Sequence, residues 1–79
     1  MTNKEKYDAT FIKALSITES QLGDELVYNS VAGWDSIGHM ELVAALETTF
    51  DILMEMEDII DFDSYNKGFE LVAKYGVKF

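Results

Sequence analysis

The residues with the most chemical potential lie close together: Asp35, Ser36 and His39. A hydroxyl, an imidazole and a carboxylate are the parts of a nucleophilic triad. On a helix Ser36 and His39 fall one turn apart. A triad, however, also needs a base oriented by a third group, an oxyanion hole and a cleft for the substrate. A residue that opens a helix in a 79-residue chain has little of this around it. Self-contained catalysis is therefore not expected, no catalytic residue is assigned, and His39 reads as a partly exposed surface histidine. A second Asp-Ser pair, Asp63-Ser64, is followed by Tyr65-Asn66-Lys67 and reads as a helix cap.

Metal and phosphate-loop chemistry find no support. One histidine with no cysteine gives no zinc site. Asp61-Phe62-Asp63-Ser64-Tyr65-Asn66 begins like a calcium loop, but an EF-hand needs Gly at its sixth place and Glu at its twelfth. Asn66 and Val72 stand there. No glycine-rich phosphate loop is present, and no metal is expected.

The elements that must position Ser36 are helical. Thr2 and Glu5 fit a capping box, and Tyr7, Phe11, Ala14 and Leu15 then recur on one face of a helix over about residues 3 to 15. Ser16-Ile17-Thr18 interrupts it, and Thr18 to Gln21 can cap one further turn that buries Leu22. Residues 23 to 33 show no sustained period and read as a long ordered loop pinned by Leu26, Val27, Tyr28 and Val31. The second helix runs from about Ser36 to Phe50. Leu42, Val43, Leu46 and Phe50 face the core, while Ile37, Met40 and Ala44 share a neighbouring face with Glu41 and Glu47. Apolar residues mixed with acids suit a contact surface. A short helix is expected from Glu55 to Phe62 with Met56, Ile59 and Ile60 turned inward. A last helix, capped by Asp63 or Ser64, buries Tyr65, Phe69, Val72 and Ala73 and ends near Gly76. The expectation is an all-α fold: a single domain over residues 1–79, a four-helix bundle of three main helices plus one short helix, with a long first loop.

Charge narrows the partners. Residues 35 to 63 hold nine acids and no Lys or Arg, whereas the six acids and six bases elsewhere cancel. One segment thus carries the net charge of −9. Nucleic acid is excluded as a natural partner by phosphate repulsion, and a basic protein surface is favoured. No apolar run is long enough to span a membrane, no signal-peptide stretch opens the sequence, and the lack of cysteine suits the cytosol; a cytoplasmic monomer is expected.

The segment Gly33-Trp34-Asp35-Ser36-Ile37-Gly38-His39-Met40-Glu41-Leu42-Val43-Ala44-Ala45-Leu46-Glu47 resembles the acyl and peptidyl carrier proteins. The hallmark of that family is Asp-Ser-Leu opening a helix that continues Glu-Leu-Val-x-x-Leu-Glu and ends in Phe-Asp. Here Asp35-Ser36-Ile37, Glu41-Leu42-Val43, Leu46-Glu47 and Phe50-Asp51 match it. Ile37 replaces the usual Leu, a volume-conserving swap; Met54-Glu55 stands where Ile-Pro is common, and Trp34 where a small residue is common. The run from Trp34 to Met40 is similar to that of free-standing carriers outside the main fatty-acid pathway. The resemblance spans the whole chain and is clearest over residues 31 to 62.

What the resemblance implies is specific. A phosphopantetheinyl transferase (holo-carrier synthase) would move 4′-phosphopantetheine from coenzyme A to Ser36, beside Asp35. The arm's thiol would then carry acyl cargo for fatty-acid or polyketide-type biosynthesis. Acyl-loading and acyl-processing enzymes with basic docking patches would read Ile37, Met40, Glu41 and Glu47. A phosphodiester on Ser36 would also sit against the positive end of a helix dipole, and the cofactor would bring the sulfur the chain lacks. An aminoacyl or peptidyl carrier charged by an adenylating enzyme is the alternative, and an unmodified helical interaction module is a third reading.

Overall fold

The computed structural model describes residues 1–79. It is all-α, with helices α1 (Asn3–Leu15), α2 (Ser36–Phe50), α3 (Met56–Asp61) and α4 (Tyr65–Ala73), a 3-10 turn at Glu19–Gln21, and no strand. None of these helices is long and apolar enough to cross a membrane.

Each main helix starts and stops for a local reason. At α1 the Thr2 hydroxyl accepts the Glu5 N–H at 3.1 Å and the Glu5 carboxylate accepts the Thr2 N–H at 2.9 Å, the reciprocal capping box. Ser16 ends the helix in the left-handed region at φ 55° and donates its N–H to Ile12 O. Asp51, at φ 54°, ends α2 in the same way through Glu47 O. Ser64 caps α4 by accepting the Lys67 N–H at 2.9 Å.

The core joins an aromatic cluster to a larger set of aliphatic side chains. Tyr7, Phe11, Trp34 and Phe62 are buried with Leu15, Leu26, Leu42, Val43, Leu46 and Val72. Tyr7 stacks on Phe69 with ring centroids 4.1 Å apart, and Phe11 meets Trp34 edge to face at 5.6 Å. Gly68 lets α4 approach closely, since a Cβ there would stand 2.0 Å from the Tyr7 hydroxyl and 2.4 Å from the Phe62 ring.

Several inward assignments shift. Phe50 and Leu22 are half-buried, and in α4 Leu71 is buried while Ala73 is exposed. The inner stripe there follows Tyr65, Gly68, Leu71 and Val72, spaced three and four apart. In α3 the correction is larger. Met56 is 69% and Ile60 71% exposed, Ile59 is half-buried, and the buried stripe is Met54, Asp58 and Phe62, each four residues from the last. Asp58 can face inward because the ammonium of Lys74 donates to it at 2.7 Å and the Tyr75 hydroxyl donates to its other oxygen. These bonds hold its carboxyl below the ordinary carboxylate range.

The long loop is more than a coil. Val27 and Ser64 form a single antiparallel bridge, in which Tyr28 N–H reaches Asp63 O at 2.8 Å and Tyr65 N–H reaches Leu26 O at 2.9 Å. Of its expected pins, Leu26 is buried, Tyr28 and Val31 half-buried, and Val27 exposed. Gly33 passes so close to the end of α1 that a Cβ would lie 2.1 Å from Leu15 O. The loop is thereby fastened at both ends and delivers residues 34–36 to the start of α2.

Candidate functional site at the start of α2

Asp35 is the N-cap of α2. Its carboxylate accepts the Gly38 N–H at 2.8 Å, and its carbonyl accepts the His39 N–H at 2.8 Å. Ser36 is consequently the first helical residue rather than the cap, and its hydroxyl is free of that duty. The side chain is exposed, and the one group bonded to it is the Tyr28 hydroxyl, 3.1 Å from Oγ. The backbone N–H groups of Ser36 and Ile37 have no partner within the protein, as the first turn of a helix requires. Gly38 closes the corner: a Cβ there would meet Gly33 O at 1.8 Å.

His39 has a definite job. Its Nδ1 accepts the indole N–H of Trp34 at 3.0 Å, and its Nε2 lies 2.9 Å from Ile59 O. With Nδ1 accepting, Nε2 carries the proton and donates to that carbonyl. The ring is half-buried, in keeping with the expected partly exposed histidine, and its two bonds tie the loop, α2 and α3 together. Both nitrogens being occupied, His39 does not serve Ser36 as a base.

An open apolar groove adjoins Ser36, with a volume of about 390 Å³. Met40, Met56, Ile59, Ile60 and Phe62 form its walls, and Tyr28, Ser36, His39 and Asp63 its polar margin. The outward turn of Met56 and Ile60 is what makes these walls. A larger open groove of about 690 Å³ lies on the opposite side of α2, lined by alanines, threonines, Lys6, Lys13 and the docking candidate Glu41, and does not include Ser36. No three His, Asp or Glu side chains converge as a metal cluster would require.

The proposed contact face of α2 is only partly as expected. Ile37, Met40, Ala44 and Glu41 are exposed, with Ile37 at 72% and Met40 at 55%. Glu47 is half-buried, and its carboxylate accepts the Met54 N–H at 2.9 Å, so it also braces the turn between α2 and α3. Among the nine acids of residues 35–63, Asp58 alone pairs with a base. The other eight carboxylates have no ion-pair partner, and of the nine only Asp63 lines this groove.

Sequence reasoning missed Tyr28, Gly33 and Gly38 as parts of this corner. Gly33 and Gly38, on either side of Trp34-Asp35-Ser36-Ile37, were the available signal, because two glycines bracketing a helix start imply a close backbone approach. Comparison with protein-family models and with curated proteins gave no match.

Proposed function

We propose that the protein is a carrier: Ser36 receives 4′-phosphopantetheine, and the arm presents acyl cargo to partner enzymes. The observation that carries this reading is the division of labour at the start of α2, where Asp35 caps the helix and leaves an exposed primary hydroxyl beside unpaired N–H groups. In the loading step the Ser36 oxygen bonds to the pantetheine-bearing phosphorus of coenzyme A. The phosphoanhydride bond to adenosine 3′,5′-bisphosphate breaks, and the serine proton passes to a base of the transferase. His39, engaged on both sides, is not needed. The resulting phosphodiester anion is favoured by the helix dipole. The resemblance of Asp35-Ser36-Ile37 and the helix after it to the carrier family supports the same assignment.

The groove favours acyl over aminoacyl cargo. Two methionines and two isoleucines form an adaptable apolar wall with no charged group inside it to receive an ammonium; Asp63 stands at the margin. The mostly unpaired acids of residues 35–63 suit transferases and acyl-processing enzymes that present basic surfaces. The chain contributes the attachment point and a docking face, and its partners contribute the catalysis. Incubation with coenzyme A and a broad-specificity phosphopantetheinyl transferase tests this by intact mass. A gain of one phosphopantetheine is expected, and an unchanged mass contradicts it.

A further inference from the structure

Tyr28 is unusually well held for a loop residue. Its N–H is bonded to Asp63 O at 2.8 Å, and Asn29, in the left-handed region at φ 69°, bonds through its N–H to Trp34 O at 3.0 Å. The Tyr28 ring stands edge-on to Trp34, with centroids 6.4 Å apart at 80°, and to His39, 5.8 Å apart at 86°. Those two residues are themselves bonded to each other and to α3 through Ile59 O. The phenol is thereby aimed across the mouth of the groove, and its hydroxyl lies 3.1 Å from Ser36 Oγ.

In the unmodified protein either hydroxyl can donate. Attachment of a phosphate removes the ambiguity. Ser36 Oγ loses its proton and becomes a bridging ester oxygen, a weak acceptor, while the non-bridging oxygens next to it share a full negative charge. A donor already within reach of Oγ then finds a charged acceptor one bond further out, and charge-assisted bonds are the stronger kind. The other side chain with an ionisable group at this margin besides His39 is Asp63, which repels a phosphate and donates nothing.

We propose that Tyr28 is a positioning residue whose hydroxyl donates to the phosphodiester on Ser36 and sets the direction in which the arm leaves the protein, over the α2–α3 groove. The inference rests on the carrier reading and adds to it a residue outside the Asp35-Ser36-Ile37 motif.

The test uses the full chain loaded from coenzyme A by a broad-specificity transferase, as wild type and as Tyr28→Phe. The substitution keeps the ring and its packing, so an unchanged melting curve is expected. In the wild type, nuclear Overhauser contacts are expected between the Tyr28 ring protons and the arm methylene next to the phosphate. In Tyr28→Phe the phosphorus-31 resonance is expected to shift and the transverse relaxation of the arm's amide groups to slow, as it does in a freer chain. A merely structural role for Tyr28 would leave the phosphorus resonance in place while lowering stability. The inference is overturned if the phosphorus shift and arm relaxation are the same in both proteins, or if the wild type shows no ring-to-arm contact. A loaded wild type indifferent to the substitution sinks this inference alone. A wild type that takes no arm sinks the carrier reading and this inference with it.

Discussion

The Asp35 carboxylate accepts the backbone N–H of Gly38 at 2.8 Å, and that bond releases the adjacent Ser36 hydroxyl for other chemistry. Either residue of an Asp-Ser pair can cap a helix, and here the acid does so. At the other pair, Asp63-Ser64, the serine caps and its hydroxyl is spent on the Lys67 N–H. The same dipeptide thus gives one free and one committed hydroxyl, separated by a shift of one residue in where the helix begins.

Removing the cap should therefore cost both stability and positioning. Asp35→Ala is expected to lower the unfolding free energy by about 0.5–2 kcal/mol. Asp35→Asn should lower it less, since the amide oxygen can still accept the Gly38 N–H. Urea unfolding monitored by circular dichroism checks the order. Equal losses for the two variants would mean that the cap bond contributes little.

Close packing at Gly68 reverses the usual helix preference. Alanine is favoured over glycine in a helix interior by about 1 kcal/mol, yet a Cβ at position 68 would enter the Tyr7 hydroxyl and the Phe62 ring. The Tyr7 hydroxyl is also buried and bonded to Tyr65 O at 2.7 Å, so it has nowhere to retreat. Gly68→Ala is expected to lower the melting temperature, and a rise would show that α4 can move away from α1. For comparison, Leu46, fully buried on α2, should cost about 2–5 kcal/mol on Leu46→Ala.

Acid should release α3 from α4. The bonds from Lys74 and Tyr75 lower the Asp58 pKa below its ordinary 3.8. A depressed carboxyl contributes stability that is fully present above the unfolded value and is lost as pH falls through the folded one. The stability difference between wild type and Asp58→Asn should accordingly be largest near neutrality and shrink as pH drops below 3.8. Denaturation curves over that range check this. A difference that holds constant into strong acid would show that Asp58 gains nothing from its charge.

Glu41 and Glu47 should not behave alike. Glu41 is exposed, whereas the Glu47 carboxylate holds the Met54 N–H at 2.9 Å. Glu41→Lys is expected to slow loading by a transferase with a basic docking surface, most at low salt, with the melting temperature unchanged. Glu47→Lys should slow loading and also lower the melting temperature, and Glu47→Gln should restore the stability. If reversal of Glu25 and Glu70, exposed acids outside α2 and outside the acidic segment, slows loading as much as Glu41→Lys does, only the total charge matters and no docking face exists on α2.

The long helices were legible because their patterns run for several turns. The spacing of Leu42, Val43 and Leu46 determines which side of α2 is buried, and Thr2 with Glu5 announces the start of α1. In α3, six residues long, the period is too short to choose a face. Met56 and Ile60 read as core by type, but the inner place goes to Asp58, whose partner Lys74 lies sixteen residues away in sequence. Apolar type alone could not reveal that pairing. His39 escaped for the same reason, because its value depends on Trp34 and on a carbonyl of α3 brought to it by the fold. Ser36, the proposed attachment serine, was legible from local sequence. The groove beside it was not, because it exists only once α3 has turned its methionine and isoleucine outward.

The most direct test of the account is the mass of three proteins after incubation with coenzyme A and a broad-specificity phosphopantetheinyl transferase. Wild type and Ser64→Ala are expected each to gain one phosphopantetheine, and Ser36→Ala to gain nothing while keeping the wild-type circular dichroism spectrum. A loaded Ser36→Ala, or a wild type that stays at its unmodified mass, would contradict the assignment of Ser36 as the attachment site.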